Sequence, residues 1–347
     1  MTFQPCAHGA VARSRLLVSG VVAAGLWLSG CGGGESAPPS GSLTFAGALQ
    51  GVTPFIYNVQ LFGQRVRDVA SVRYTIAPRP GAASRPVSVS YAVDALSRRG
   101  YANSSAGLLT LPVFGLYAGY ANQVSIELKF VDTSTQPLTI ELDTAPYVDP
   151  NGIYDRPQVL KARAPGDALG FDYFALKNML GGPVVIDTDG ALRWVGPAIG
   201  NSTSTVFSAN GFEIGSPDSA ALARVELDGT VSQTALDETD YVDFHHNVDA
   251  GKAGLLVEVD SVVNGVHQTE STLAEVTLGG ATLREWDMAA ILSDYMRSRG
   301  DDPSAFVRPG VDWFHMNTAT YDPSDDTVIV SSRENFLVKL DYKSGNI

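Results

Sequence analysis

The sequence has 347 residues, more than one ordinary domain holds, and its 44% hydrophobic content can fill sizeable cores. Glycine (35) and proline (19) are plentiful while long helical periods are scarce, so the expected class is all-β with many turns. Asp plus Glu (37) exceed Lys plus Arg (24); the net charge of −13 argues against nucleic acid as a partner and means that any small anionic ligand needs a local cluster of donors.

Residues 1–30 read as a targeting segment. Arg13 and Arg15 precede the apolar run "LLVSGVVAAGLWLSG", which is shorter than the roughly 20 residues a membrane-spanning helix needs. The run ends in "LSGC", which resembles the bacterial lipobox, so cleavage before Cys31 and lipidation of that cysteine are expected. Cys6 leaves with the signal, and no thiol then remains for a disulfide. The expected location is the periplasmic side of a bacterial envelope. Outer membrane is favoured over inner, because Gly32 is not the usual inner-membrane retention residue. "GGGESAPPSGS" completes a flexible tether over 31–42.

Short alternating runs such as "SVRYTIA", "VSVSYAV" and "QVSIELKFV" fill 43–148 and predict an Ig-like N-terminal β-sandwich. From there to the end, 149–347, an apolar strand, a tight Gly turn and a second apolar strand recur around Gly190, Gly229, Gly280 and Gly345. That recurrence predicts a β-propeller with about four blades present. "WDMAAILSDYMRSRGDDPSAFVRPG" reads as an inserted helix and loop. The final "GNI" stops in mid-pattern, which predicts a chain that continues in a longer protein.

The candidate chemistry sits in two related stretches, "DFHHNVDAGKAGLLVEVD" and "DWFHMNTATYDPSDDTVIVSSR". Each runs from an aromatic residue through His and Asn into a short strand. Strand alternation places His315 and Asn317 on one face and sends His245 and His246 to opposite faces, so one of that pair is expected in a shared channel. Matching the two stretches favours His245, and counting back from the second strand favours His246. Arg333 closes the second stretch and could pair with Asp312 or Glu334. His267, in "VVNGVHQTE", reads as a solvated turn residue. His245, His246, His315, Asp243 and Asp312 lack a tight chelating motif, so no metal is expected. No nucleophile elbow, phosphate loop or dinucleotide fingerprint occurs, which disfavours a serine hydrolase or a nucleotide-dependent enzyme.

The stretch 312–333 resembles the hallmark of the bacterial arylsulfate sulfotransferases, D-W-x-H-x-N, an acidic turn, then S-S-R. "LPVFGLYAGYANQVSIEL" is similar to a segment of that family's N-terminal sandwich, and "VVIDTDGALRWV" to its first propeller blade. "FHHNV" is similar to its His-His-acidic segment, with Asn247 where an acid is commoner. The resemblance spans roughly 43–347. It implies a six-bladed propeller and sulfuryl transfer from an aryl sulfate donor to a phenol acceptor, without cofactor or nucleotide. The intermediate it implies is a sulfohistidine. His246 or His245, His315, Asn317 and Arg333 match the residues around the sulfate, while the sulfurylated histidine is expected beyond Ile347. A homodimer is left open. The competing expectation is a non-catalytic propeller lipoprotein that binds aromatic anions or envelope partners.

Overall fold

The strand β7 (Ala121–Phe130, "ANQVSIELKF") shows why this chain makes sheets. Exposed and buried positions alternate along it, so Val124, Ile126, Leu128 and Phe130 all face inward. The computed structural model describes residues 41–347 except 155, 156, 165, 167, 168, 217, 218, 239 and 335. The expected signal segment, Cys31 and nearly all of the expected tether lie outside the described residues. The class is all-β, with six antiparallel sheets among the described residues. No described helix is long and apolar enough to cross a membrane.

The first sheets use β1 (Thr44–Gln50), β2 (Ile56–Phe62), β3 (Val69–Ile76), β4 (Val87–Ala92), β5 (Ala102–Asn103), β6 (Leu108–Phe114), β7 and β8 (Thr135–Asp143). Their orders are β1-β2-β6-β5 and β4-β3-β7-β8. One core joins both: Val59 and Leu61 of β2 and Leu109, Leu111 and Val113 of β6 pack with Val72, Tyr74 and Ile76 of β3 and the inward face of β7. Each such side chain contributes about 1.5–3 kcal/mol of burial. Asn122 is fully buried, and its amide satisfies the backbone of the tight segment before β7. Its Oδ1 accepts from the Tyr117 N–H (2.8 Å), and its Nδ2 donates to the carbonyls of Tyr117 and Tyr120 (2.9 Å each).

Four further sheets follow in chain order, each a meander of sequence neighbours. They comprise β9 (Tyr173–Leu176), β10 (Val184–Asp187) and β11 (Leu192–Val195); β12 (Thr205–Ser208), β13 (Gly211–Gly215), β14 (Ala221–Glu226) and β15 (Val231–Ala235); β16 (Tyr241–Ala250), β17 (Leu255–Val263), β18 (Val266–Val276) and β19 (Thr282–Asp287); and β20 (Met316–Asp322), β21 (Thr327–Ser332) and β22 (Phe336–Asp341). Gly190, Gly229 and Gly280 close the last hairpin of the first three, all with φ between 84° and 87°. Gly280 has no substitute, since a Cβ there would lie 2.1 Å from the Ala235 carbonyl oxygen. The expected helical insertion is present as Met288–Ser298, capped by Asp287, whose carboxylate accepts from the Ala289 and Ala290 N–H groups.

Residues 41–347 lie in one compact unit, and packing crosses the boundary expected near 148. Phe55 and Ile56 share a core with Val184, Ile186, Trp194 and Phe212. Arg193, 1% exposed, donates twice to the Gly115 carbonyl (3.1 and 2.7 Å), pairs with Asp187 at 3.2 Å and lies 3.8 Å over the Tyr117 ring. For the site, the decisive contact is that β16 packs against both β12 and β20, so the leading strands of three sheets lie together.

Candidate active site

Three backbone irregularities build the site. The β16–β17 register shifts between Phe244 and Val248, so His245, His246 and Asn247 sit on a bulge rather than a regular ladder. Glu270, on β18, has φ +48°, and His315, just ahead of β20, has φ +50°. Such conformations cost a non-glycine residue on the order of 1–3 kcal/mol and persist only where neighbours hold them. At His315 the holders are visible. Its carbonyl accepts from the Arg333 N–H (3.0 Å), and the Phe314 carbonyl accepts from the Ser332 hydroxyl (2.5 Å).

These irregularities bring three histidines around one carboxylate. Glu270, 7% exposed, lies with Oε1 2.9 Å from His245 Nδ1, and with Oε2 2.5 Å from His315 Nδ1 and 3.5 Å from His246 Nε2. The Oε2 contacts lack the alignment of hydrogen bonds. His246 Nε2 and His315 Nε2 are 3.0 Å apart. Asp312 Oδ2 accepts from His315 Nδ1 at 2.8 Å and from Arg333 Nη2 at 2.9 Å. Arg333 Nη1 stands 3.3 Å from His315 Nε2. A guanidinium only donates, so the hydrogen-bond network assigns the His315 proton to Nδ1 and leaves Nε2 as an acceptor facing His246. Asp260 braces the other flank: its carboxylate meets His245 Nε2 and His267 Nε2, each at 3.1 Å, and accepts from the Glu270 N–H at 2.8 Å.

The two adjacent histidines differ in charge state. Burial alone would lower His245, but its bonds to Asp260 and Glu270 prevail and raise it to about 10. Burial and the neighbouring rings of His315 and His245 lower His246, against the pull of Glu270. Near neutral pH His245 is therefore a cation and His246 a neutral ring with an exposed edge, the form able to attack or accept a proton. Burial would raise Asp312, yet His315 and Arg333 hold it below the usual carboxylate range.

Some expectations are corrected by this geometry. His245 and His246 do not diverge to opposite faces, because the bulge cancels the alternation and both reach Glu270. His315 lies outside its strand, and Asn317 sits at a second register shift, between Met316 and Thr318. The Asn317 side chain is exposed, with no hydrogen bond among the described residues. Its neighbour Thr318 accepts from Asn247 Nδ2 at 2.8 Å. His267 is half exposed but on β18 and paired with Asp260, not free in a turn. Of the expected partners for Arg333, Asp312 is bonded closely and Glu334 stands at 3.8 Å.

His245, His246 and Glu270 could each offer one ligand atom to a cation, as could Glu270, Asp312 and His315, within 4.8 Å of one another. Asp243 belongs to neither group.

A family model for arylsulfotransferase (ASST) matches residues 159–347, more than half of the chain. The chain belongs to the arylsulfotransferase family. Comparison with individual curated proteins finds no match. In this arylsulfotransferase all the clustered groups, from His245 to Arg333, fall within the matched segment. Sequence reasoning missed Glu270, Asp260 and Lys177. The only sign of Glu270 was an acid closing the otherwise polar "VVNGVHQTE". Lys177, just past β9, was hidden in "ALKNML", and it donates to Asn247 Oδ1.

Proposed function

We propose that this arylsulfotransferase moves a sulfuryl group from an aryl sulfate to a phenol, without a nucleotide donor and through a sulfohistidine. The observation that carries the reading is the 3.0 Å pairing of His246 Nε2 with His315 Nε2 beside the Arg333 guanidinium. A histidine nitrogen attacks sulfur; the N–S bond forms as the bond from sulfur to the aryl oxygen breaks. The aryl oxygen leaves as phenolate. His315, oriented through Nδ1 by Asp312, is the base for the second half: its Nε2 takes the proton of the acceptor phenol as that oxygen attacks sulfur and the N–S bond breaks, and the imidazolium then returns the proton to phenolate or water. Charge spread over the sulfuryl oxygens in a loose transition state is met by Arg333 and His246. The resemblance puts the sulfurylated histidine in a later segment, and the three histidines here form its surroundings.

The finer architecture belongs to the same reading. Four consecutive meanders, the leading strands of three of them packed together, support a β-propeller over 149–347, with β16 and β20 lining its channel. Two four-stranded sheets with one core support a sandwich over 43–148. A lipid anchor at Cys31 would hold the enzyme on the periplasmic face of the envelope.

The test is transfer from 4-nitrophenyl sulfate to phenol, using protein expressed from the intact gene. Nitrophenolate release should depend on added phenol, phenyl sulfate should appear by mass spectrometry, and His315→Ala should abolish both. Binding of 4-nitrophenyl sulfate with no release would replace the enzyme by a lipoprotein that binds aromatic anions.

A further inference from the structure

The two strands beside the facing histidines both depart from regular pairing. Three residues of β16, His245, His246 and Asn247, stand opposite the single residue Glu258 of β17, so no regular ladder holds them. In β20 the register skips Asn317, between Met316 and Thr318. His246, itself exposed, meets His315 across these irregularities with the Nε2 atoms 3.0 Å apart. A pairing that close depends on how the β16 bulge is held, and the β17 ladder does not hold it.

Side chains hold it from either end. On one side of His246, His245 is gripped by Asp260 and Glu270, at 3.1 and 2.9 Å. On the other side, Asn247 is gripped from two directions. Lys177 Nζ donates to its Oδ1, and its Nδ2 donates to Thr318 Oγ1 at 2.8 Å. The chain has a fixed sense. An ammonium only donates, so Lys177 keeps Oδ1 toward itself and turns the amide nitrogen to Thr318, whose hydroxyl oxygen accepts. Three sheets are crossed: Lys177 follows β9, Asn247 lies on the β16 bulge, and Thr318 is where regular pairing of β20 resumes. Lys177, Asn247 and Asp249 line one cavity of about 290 Å³. Among the described residues Lys177 forms no ion pair, and the Asn247 amide is its hydrogen-bond partner.

We propose that Lys177, Asn247 and Thr318 are positioning residues, whose hydrogen-bonded chain ties the bulge of β16 to that of β20 and so holds His246 Nε2 at His315 Nε2. His246 then stands between two anchored neighbours, the carboxylate-bound His245 and the doubly bonded Asn247, and its ring direction follows from theirs. None of the three is assigned a contact with substrate. The proposal rests on the sulfuryl-transfer reading only in naming the reaction that the histidine pair serves. A displacement of about 1 Å between reacting groups can cost on the order of 10²-fold in rate, so the loss of one tie has a readable effect.

The experiment makes two measurements on the full chain and on Thr318→Val and Asn247→Leu, each close in shape to the residue replaced. In transfer from 4-nitrophenyl sulfate to phenol, each variant should lower kcat about tenfold and change KM by less than about twofold, the pattern of lost alignment and not of lost binding. The double variant should be no slower than Asn247→Leu, because both substitutions break the same bond. Thr318→Ser keeps the hydroxyl and should restore kcat. Lys177→Met frees the amide to turn over and should cost about threefold or more. The second measurement, NMR of isotope-labelled histidine rings without substrate, reports the geometry itself. The His246 and His315 signals should shift in Thr318→Val while those of His267 stay, with the urea unfolding midpoint unchanged. Unmoved His246 and His315 signals in Thr318→Val and Asn247→Leu overturn the proposal. So do losses that add in the double variant, or a Thr318→Ser enzyme as slow as Thr318→Val. The two readings fail separately. A protein that transfers nothing loses the sulfotransferase assignment, and its ring signals still decide the chain. An active enzyme whose variants match wild type keeps the assignment and loses the chain.

Discussion

Replacing Glu270 by Gln keeps the side-chain volume and removes one charge from beneath three imidazoles. His245 feels it first, since its ring is held between Glu270 and Asp260 at 2.9 and 3.1 Å. The folded-state value of about 10 stands above the unfolded value near 6.5, so His245 binds its proton more tightly when folded. Its contribution to stability is therefore fully present below pH 6.5 and is lost as pH rises through about 10. The difference corresponds to at most about 5 kcal/mol, less screening at a ring 24% exposed. Removing one of two carboxylates should take roughly half, so Glu270→Gln should lose about 2 kcal/mol at pH 6. Urea unfolding at intervals from pH 6 to 10 measures it. The gap between wild type and variant should shrink as pH approaches 10. In the transfer assay the misplaced His246–His315 pair should cost about 10- to 100-fold in rate, the equivalent of one charged hydrogen bond. A stability gap that did not vary with pH would refute the argument, because it would show that Glu270 acts through shape and not charge.

Other perturbations probe separate parts. Arg333→Lys cannot serve Asp312 and His315 together, so turnover of 4-nitrophenyl sulfate should fall about 10²–10³-fold, while the unfolding midpoint, set by an exposed pair, should barely move. Asp187→Asn leaves the buried Arg193 without its counter-ion and should cost about 3–5 kcal/mol in urea unfolding. Gly280→Ala forces a left-handed residue and a Cβ into the Ala235 carbonyl, so a loss of more than about 2 kcal/mol is expected by the same measurement. Cys31→Ser should abolish incorporation of labelled palmitate and release the protein from the membrane fraction; retention with undiminished label would remove the lipid anchor.

The local rules of a β-chain were legible from the residues alone. Alternation in "QVSIELKFV" specified which side of β7 is buried, and glycines in the left-handed region specified hairpins at Gly190, Gly229 and Gly280. The Asp287 cap and the helix after it were readable for the same reason: each depends on neighbours a few residues away. The stretches holding His245, His246, His315 and Arg333 were also visible, by residue type and by resemblance. What they do to one another was not. Period-two reasoning separated His245 from His246 and coupled His315 to Asn317, and regular alternation is interrupted at both places for one reason. A bulge or a left-handed residue costs on the order of 1–3 kcal/mol locally and is held by partners distant in the chain. Glu270 lies 45 residues from His315, and Lys177 lies 70 from Asn247. The class of fold, the hairpins and the chemical types available follow from neighbours along the chain. That a buried carboxylate gathers the histidines came from the packing of one sheet on the next. Convergence of charges is a property of packing between sheets, and no periodicity along one strand records it.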